Sequence, residues 1–193
     1  MPEISAWLAE LVSSDAERAE HAASSPPADQ DKSLVALAEL FNKQDPETRW
    51  WAVRALAEFT SKDAGELLTR ALMDEDESVR LCAALSLRKS PHPNSTNNLI
   101  DHLGSKDKLL ARLSGDALIA LGEEATPALL IVLNSDDDNA KVEAARALAI
   151  IGDTNSISGL FQLLGSRSLL LEHWANEGLE KMGLGMRFFE PGN

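Results

Sequence analysis

The stretch "DPETRWWAVRALAEF", Asp45–Phe59, opens on an Asp-Pro pair and then sets Trp50 beside Trp51, in a chain with four tryptophans. Asp followed by Pro suits a helix N-cap and first turn, because a proline there gives up an N–H that has no helical partner anyway. Neighbours on a helix point about 100° apart, so both indoles are covered only if the helix is buried on several sides. The covering elements come from recurrence of the stretch itself. "DESVRLCAALSLRKS" (Asp76–Ser90), "DKLLARLSGDALIAL" (Asp107–Leu121), "DDNAKVEAARALAII" (Asp137–Ile151) and "SLLLEHWANEGLEKM" (Ser168–Met182) align with it. Their opening positions step by 31, 31, 30 and 31.

Each copy places a leucine at the same point: Leu56, Leu87, Leu118, Leu148 and Leu179. Four residues earlier stands a small residue (Ala52, Ala83, Ser114, Ala144, Ala175), and another directly precedes the leucine (Ala55, Ser86, Ala117, Ala147, Gly178). Small and large residues on one helical face let a neighbouring helix approach closely. A second anchor set (Leu37/Phe41, Leu68/Leu72, Leu99/Leu103, Leu129/Leu133, Leu160/Leu164) keeps the same irregular step. Two sets sharing one period predict repeats of two helices joined by short turns. Gly122, Gly152 and Gly183 stand where three of the second helices stop. Asp45, Asp76, Asp107 and Asp137 are expected to cap helices rather than to catalyse, and Arg49, Arg80 and Lys141 to pair in ladders between repeats.

Composition is consistent with this. Of 193 residues 44% are apolar and 25% charged; tyrosine is absent, and leucine and alanine favour helix over sheet. The formal net charge of −13 opposes nucleic-acid and anionic-membrane binding, since both need a basic face. The single Cys82 excludes an intrachain disulfide, no secretory signal opens the chain, and apolar runs such as "ALLIVL" (Ala128–Leu133) are far shorter than a membrane span. A cytoplasmic protein is expected. Metal and catalytic patterns are missing: His21, His92, His102 and His173 have no ligand spacing, "SDDDNAK" (Ser135–Lys141) lacks the glycine and distal glutamate of a calcium loop, and "GLGMRF" (Gly183–Phe188) fails as a dinucleotide fingerprint. No cofactor or metal is expected.

The pattern of a turn Asp, Val-Arg and Ala-x-x-Ala-Leu, carried best by "DESVRLCAALSL" and "NAKVEAARALAIIGD", resembles the HEAT repeat, in particular the short bacterial HEAT-like form of phycobilisome lyases. The resemblance covers about residues 31–183. The third and fifth copies depart from it, with Ala111 and Glu172 in place of the basic residue. It implies an all-α solenoid of about five two-helix repeats, first helices on the convex side and second helices lining a concave groove. Among enzymes on related repeats, deoxyhypusine hydroxylases need His-Glu pairs, and no histidine here precedes Glu. Alkylpurine DNA glycosylases use aromatic, arginine and aspartate side chains that Trp50, Trp174, Arg112 and Asp116 could imitate, but the acidic charge opposes DNA. A phycobilin lyase subunit is the remaining enzymatic alternative.

The expected function is therefore a non-catalytic scaffold that binds a protein or peptide. Counting along the repeats, Trp50, Leu81, Arg112, Val142 and His173 form one row, and Arg54, Leu85, Asp116, Arg146 and Glu177 another, one helical turn on. Both rows lie away from the Ala/Leu face and are expected to line the groove. Trp51, in the row Cys82, Leu113, Glu143 and Trp174, is expected to pack between repeats. Arg54, Arg112 and Arg146 would make the groove locally basic, favouring an acidic or mixed-charge segment. Residues 1–30 fall outside the period: "EISAWLAELV" predicts an amphipathic helix, with Trp7 either capping the array or docking elsewhere, and "AASSPPADQD" (Ala22–Asp31) a linker. Residues 184–193 form a tail in which Phe188 and Phe189 are expected to fold back on the last repeat.

Overall fold

The computed structural model describes residues 2–184. The expected tail, with Phe188 and Phe189, lies outside them. Among the described residues there are twelve α-helices, three short 3-10 turns and no strand. The helices are α1 (Pro2–Leu11), α2 (Ala16–Ser24), α3 (Gln30–Phe41), α4 (Pro46–Leu56), α5 (Lys62–Ala71), α6 (Glu77–Lys89), α7 (Thr96–His102), α8 (Lys108–Leu121), α9 (Thr126–Val132), α10 (Asp138–Ile151), α11 (Ile157–Leu163) and α12 (Leu169–Lys181). The chain divides into two compact units, Met1–Leu99 and Ile100–Asn193. In the first, α4 packs between α2 and α6; in the second, α10 packs between α8 and α12. These are α-solenoid repeats in which second helices stack on second helices.

The caps are where the sequence puts them. Asp45 accepts from the Thr48 amide at 2.8 Å, Asp76 from Ser78 at 2.9 Å, Asp107 from Leu109 at 2.9 Å and Asp137 from Asn139 at 2.9 Å. Ser168 makes no such side-chain bond, so the fifth copy departs in cap chemistry too. Gly152 ends α10 in the left-handed region (φ 73°), where a side chain would be strained. All five anchor leucines, together with Ala52, Ala83, Ser114, Ala144 and Ala175, are buried. The need for small residues is plainest at Gly178, where an added methyl group would lie 2.9 Å from the Ala149 backbone of α10.

Arg49 forms a ladder. Only 7% of its side chain is exposed; it grips Asp74 of the next turn with two bonds of 2.8 and 2.9 Å and donates to the Lys43 and Gln44 carbonyls. Arg80 reaches the Asp74 and Glu75 carbonyls, which close the turn before its own helix. Lys141 departs from the expectation: it pairs with Asp138 in its own helix at 2.8 Å, because a lysine presents one ammonium instead of the fork that spans carbonyls and carboxylate together.

The N-terminal segment is more ordered than a helix and a linker. Asp15 caps α2 by accepting from the Glu17 and Arg18 amides, and Ala19, Ala22 and Ala23 are buried. Residues 22–24, expected in the linker, are therefore the last turn of a helix packed on α4. Trp7 is buried, and its Nε1 donates to the Ala22 carbonyl at 2.8 Å, so α1 is docked onto α2 within this unit.

Candidate functional site

Trp50 and Trp51 meet edge to face, ring centroids 4.7 Å apart and planes at 90°. Trp51 is buried between repeats, as its row requires. Trp50 stays partly exposed on the second-helix side of α4. It does not end the stack, since α2 lies beyond α4. On the other flank Cys82 of α6 approaches the Trp50 carbonyl at 3.8 Å, and burial pushes that thiol up to about 12. Leu81 and Leu85 hold the matching α6 positions, Leu81 partly exposed and Leu85 43% exposed. In the first unit Trp50, Leu81 and Leu85 thus form an apolar strip.

Arg54 borders this strip but is not a free cation. It bonds Glu20 of α2, lies 3.3 Å from Glu58, and Glu58 is in turn held by Lys89 of α6 at 2.5 Å. Burial raises the Glu58 carboxyl, but Lys89 and Arg54 outweigh it and leave the group below its ordinary value. Four side chains from α2, α4, the turn after α4, and α6 neutralise one another along the edge of the strip.

The second unit carries the remaining row members. Arg146 departs most from expectation: it is 2% exposed, so it does not line an open surface. Its guanidinium lies 2.8 Å from Asp116 of α8 and 2.8 Å from Glu143 of its own helix, and donates to the Arg112 carbonyl at 3.3 Å. Gly115 makes the space, since a methyl group there would lie 2.6 Å from the arginine's Nη2. Arg112, which is exposed, stands 3.9 Å from Asp116 and 3.8 Å from Glu143. Two arginines and two carboxylates therefore balance, and the expected basic patch is cancelled from within. Asp116, bridged by two arginines, is not placed as a free base. Val142 is partly exposed, and His173 and Glu177 are exposed. Glu143 is what the row argument missed: the one charged residue in an otherwise apolar row, opposite a helix-interior glycine.

The described residues contain no group of three or more His, Cys, Asp or Glu side chains able to hold a metal ion, and no helix long and apolar enough to cross a membrane. Residues 34–122 match the family model for HEAT repeats. Within those residues the helix pairs are HEAT repeats. No curated protein sequence matches the chain. Among solved structures, it is similar to the HEAT-like repeats protein of the archaeon Thermococcus onnurineus NA1 (TM-score 0.65, 19% identity, covering 93% of this chain and 80% of that one). It is also similar to a chain in the CpcE–CpcF complex of phycocyanin lyase from Nostoc sp. PCC7120 (TM-score 0.54, 22% identity, 93% and 77% covered). A designed armadillo repeat protein in complex with the peptide (KR)4 superposes at TM-score 0.53, with 18% identity and 93% and 99% covered. At these identities the likeness is one of fold, shared by HEAT and armadillo repeats.

Proposed function

We propose that the protein is a non-catalytic scaffold whose second-helix faces bind a protein or peptide. The observation that carries this is the strip of Trp50, Leu81 and Leu85. Three large apolar side chains stay accessible on helices whose other large apolar residues are nearly all covered, and they sit beside a neutralised polar edge. A partly exposed tryptophan among aliphatic neighbours and a polar rim has the make-up of an interface hot spot. The peptide complex of the designed armadillo protein supports the reading by showing what a related repeat architecture accommodates. Likeness to a lyase subunit is support from fold alone and brings no bilin chemistry with it.

A peptide selected from a random displayed library against the full chain supplies a ligand for the test. Trp50→Ala is expected to retain the helical circular dichroism and the melting temperature while weakening that peptide by about 2 kcal/mol. Lost stability with unchanged affinity would return Trp50 to the core and overturn the assignment.

A further inference from the structure

In the second unit, α10 and α12 leave between them a cleft of about 370 Å³, lined by Ala149, Ile150, Trp174, Glu177, Glu180 and Lys181. Its chemistry is uneven. Trp174 is partly exposed, with His173 tilted against it at a centroid distance of 4.9 Å, and Ile150 adds an exposed aliphatic wall. Glu177 lies one turn past Trp174, and Glu180 one turn beyond that, both exposed. Neither carboxylate has a hydrogen-bond or ion-pair partner among the described residues. Lys181 makes no ion pair with them, its ammonium donating to the Ile150 carbonyl in the last turn of α10, so two carboxylates outweigh one ammonium in the cleft. At that carbonyl the ammonium meets the negative end of α10.

An indole flanked by two unpaired carboxylates attracts a cation. The ring face holds positive charge through its quadrupole, and the carboxylates accept charge-assisted hydrogen bonds. A planar guanidinium satisfies both demands at once, whereas an ammonium meets them as a point charge. We propose that this cleft receives an arginine, or less tightly a lysine, from a basic segment of a protein partner. The inference rests on the second-helix face being the partner surface, and it replaces the acidic or mixed-charge segment expected from the sequence with a basic one. Arg54, Arg112 and Arg146, which suggested that partner, all lie against carboxylates of this chain.

The probe is a fluorescein-labelled octapeptide of alternating lysine and arginine, titrated into the full chain by fluorescence anisotropy. An isosteric peptide of acetyl-lysine and citrulline serves as the uncharged control. The basic peptide is expected to bind and the neutral one not. Glu177→Gln with Glu180→Gln should weaken binding by about tenfold or more, and Trp174→Leu should weaken it as well. The exposed pair Asp63→Asn with Glu66→Gln on the first helix α5 removes the same charge elsewhere and should leave affinity within about twofold. An equal loss in both pairs would show that only the general field of an acidic chain is at work, and absence of binding would also overturn the cleft. If the peptide responds to Trp50→Ala but not to the Glu177/Glu180 change, the cleft inference falls and the scaffold reading stands. Should it respond to neither, the cleft inference falls, and the scaffold reading is decided separately by the selected peptide and Trp50→Ala. The glutamate pair is decisive even if the tryptophan variant fails to fold.

Discussion

Arg146→Met gives the sharpest test of how the second unit is held together. Methionine keeps much of the apolar stem but removes the guanidinium that lies 2.8 Å from Asp116 and 2.8 Å from Glu143. Breaking a buried ion pair by deleting one partner costs about 3–5 kcal/mol, chiefly because a charge is left buried and unmatched. Here two features lower that figure. Asp116 and Glu143 keep 25% and 19% of their side-chain surface, so water reaches part of each carboxylate. Arg112, already within 3.9 Å of both, is placed to take up some of the charge. The expected loss is about 2–4 kcal/mol, several degrees in melting temperature for a chain of this size. The assay is urea and thermal unfolding followed by far-UV circular dichroism. A triple variant, Asp116→Asn, Glu143→Gln and Arg146→Met, removes the unmatched carboxylates, leaves only the solvent-exposed Arg112 without a partner, and should recover most of the loss. A single variant that unfolds at the wild-type midpoint, or a triple variant no better than the single, would refute the reasoning.

Leu118→Ala, which empties a fully buried site on α8, should cost about 2–5 kcal/mol by the same unfolding assay. Acid should destabilise the fold with a definite sign. Asp45 is held below its ordinary 3.8 by the Thr48 hydroxyl and amide, Asp76 by the Ser78 hydroxyl and neighbouring amides, and Glu58 lies below 4.5 despite its burial. Because these folded-state values are depressed, the stability they contribute is complete above the ordinary 4.5 and 3.8, begins to be lost below them, and is gone once pH has fallen through the lower folded-state values. A melting temperature flat from pH 6 to about 3 would contradict this linkage. The single Cys82, buried and with its thiol raised to about 12, should not react with a colorimetric disulfide reagent until denaturant is added. Prompt reaction of the native chain would show that α6 is not packed on α4 as described.

The two-helix period, the five anchor leucines and the Asp caps were legible because each rests on local spacing: one face of a helix, or one turn before it. The second N-terminal helix was not, because its copy of the pattern is incomplete. Asp15 and Ala22 stand thirty residues before Asp45 and Ala52, but Pro26 takes the place of the anchor leucine. A search on the capping Asp and the small residue, without the leucine, would have found it. For the site, the row reasoning separated Trp51, buried, from Trp50, accessible, since that depends only on angle around one helix. It failed for Arg146 because the fate of a charge depends on what neighbouring helices place opposite it. The signal was Gly115, a helix-interior glycine where the other copies have Val53, Ala84, Ala145 and Asn176. Read together with Glu143, it marks room for a buried guanidinium.

The central claim, that partners bind the second-helix faces, is tested most directly by hydroxyl-radical footprinting of the full chain with and without its selected peptide. Val35 and Met73, each 63% exposed and outside the second helices, serve as internal references. Oxidation of Trp50, Leu81 and Leu85 is expected to fall on binding while that of Val35 and Met73 stays the same. Protection of Val35 and Met73, with Trp50 and its neighbours oxidised as before, would contradict the claim.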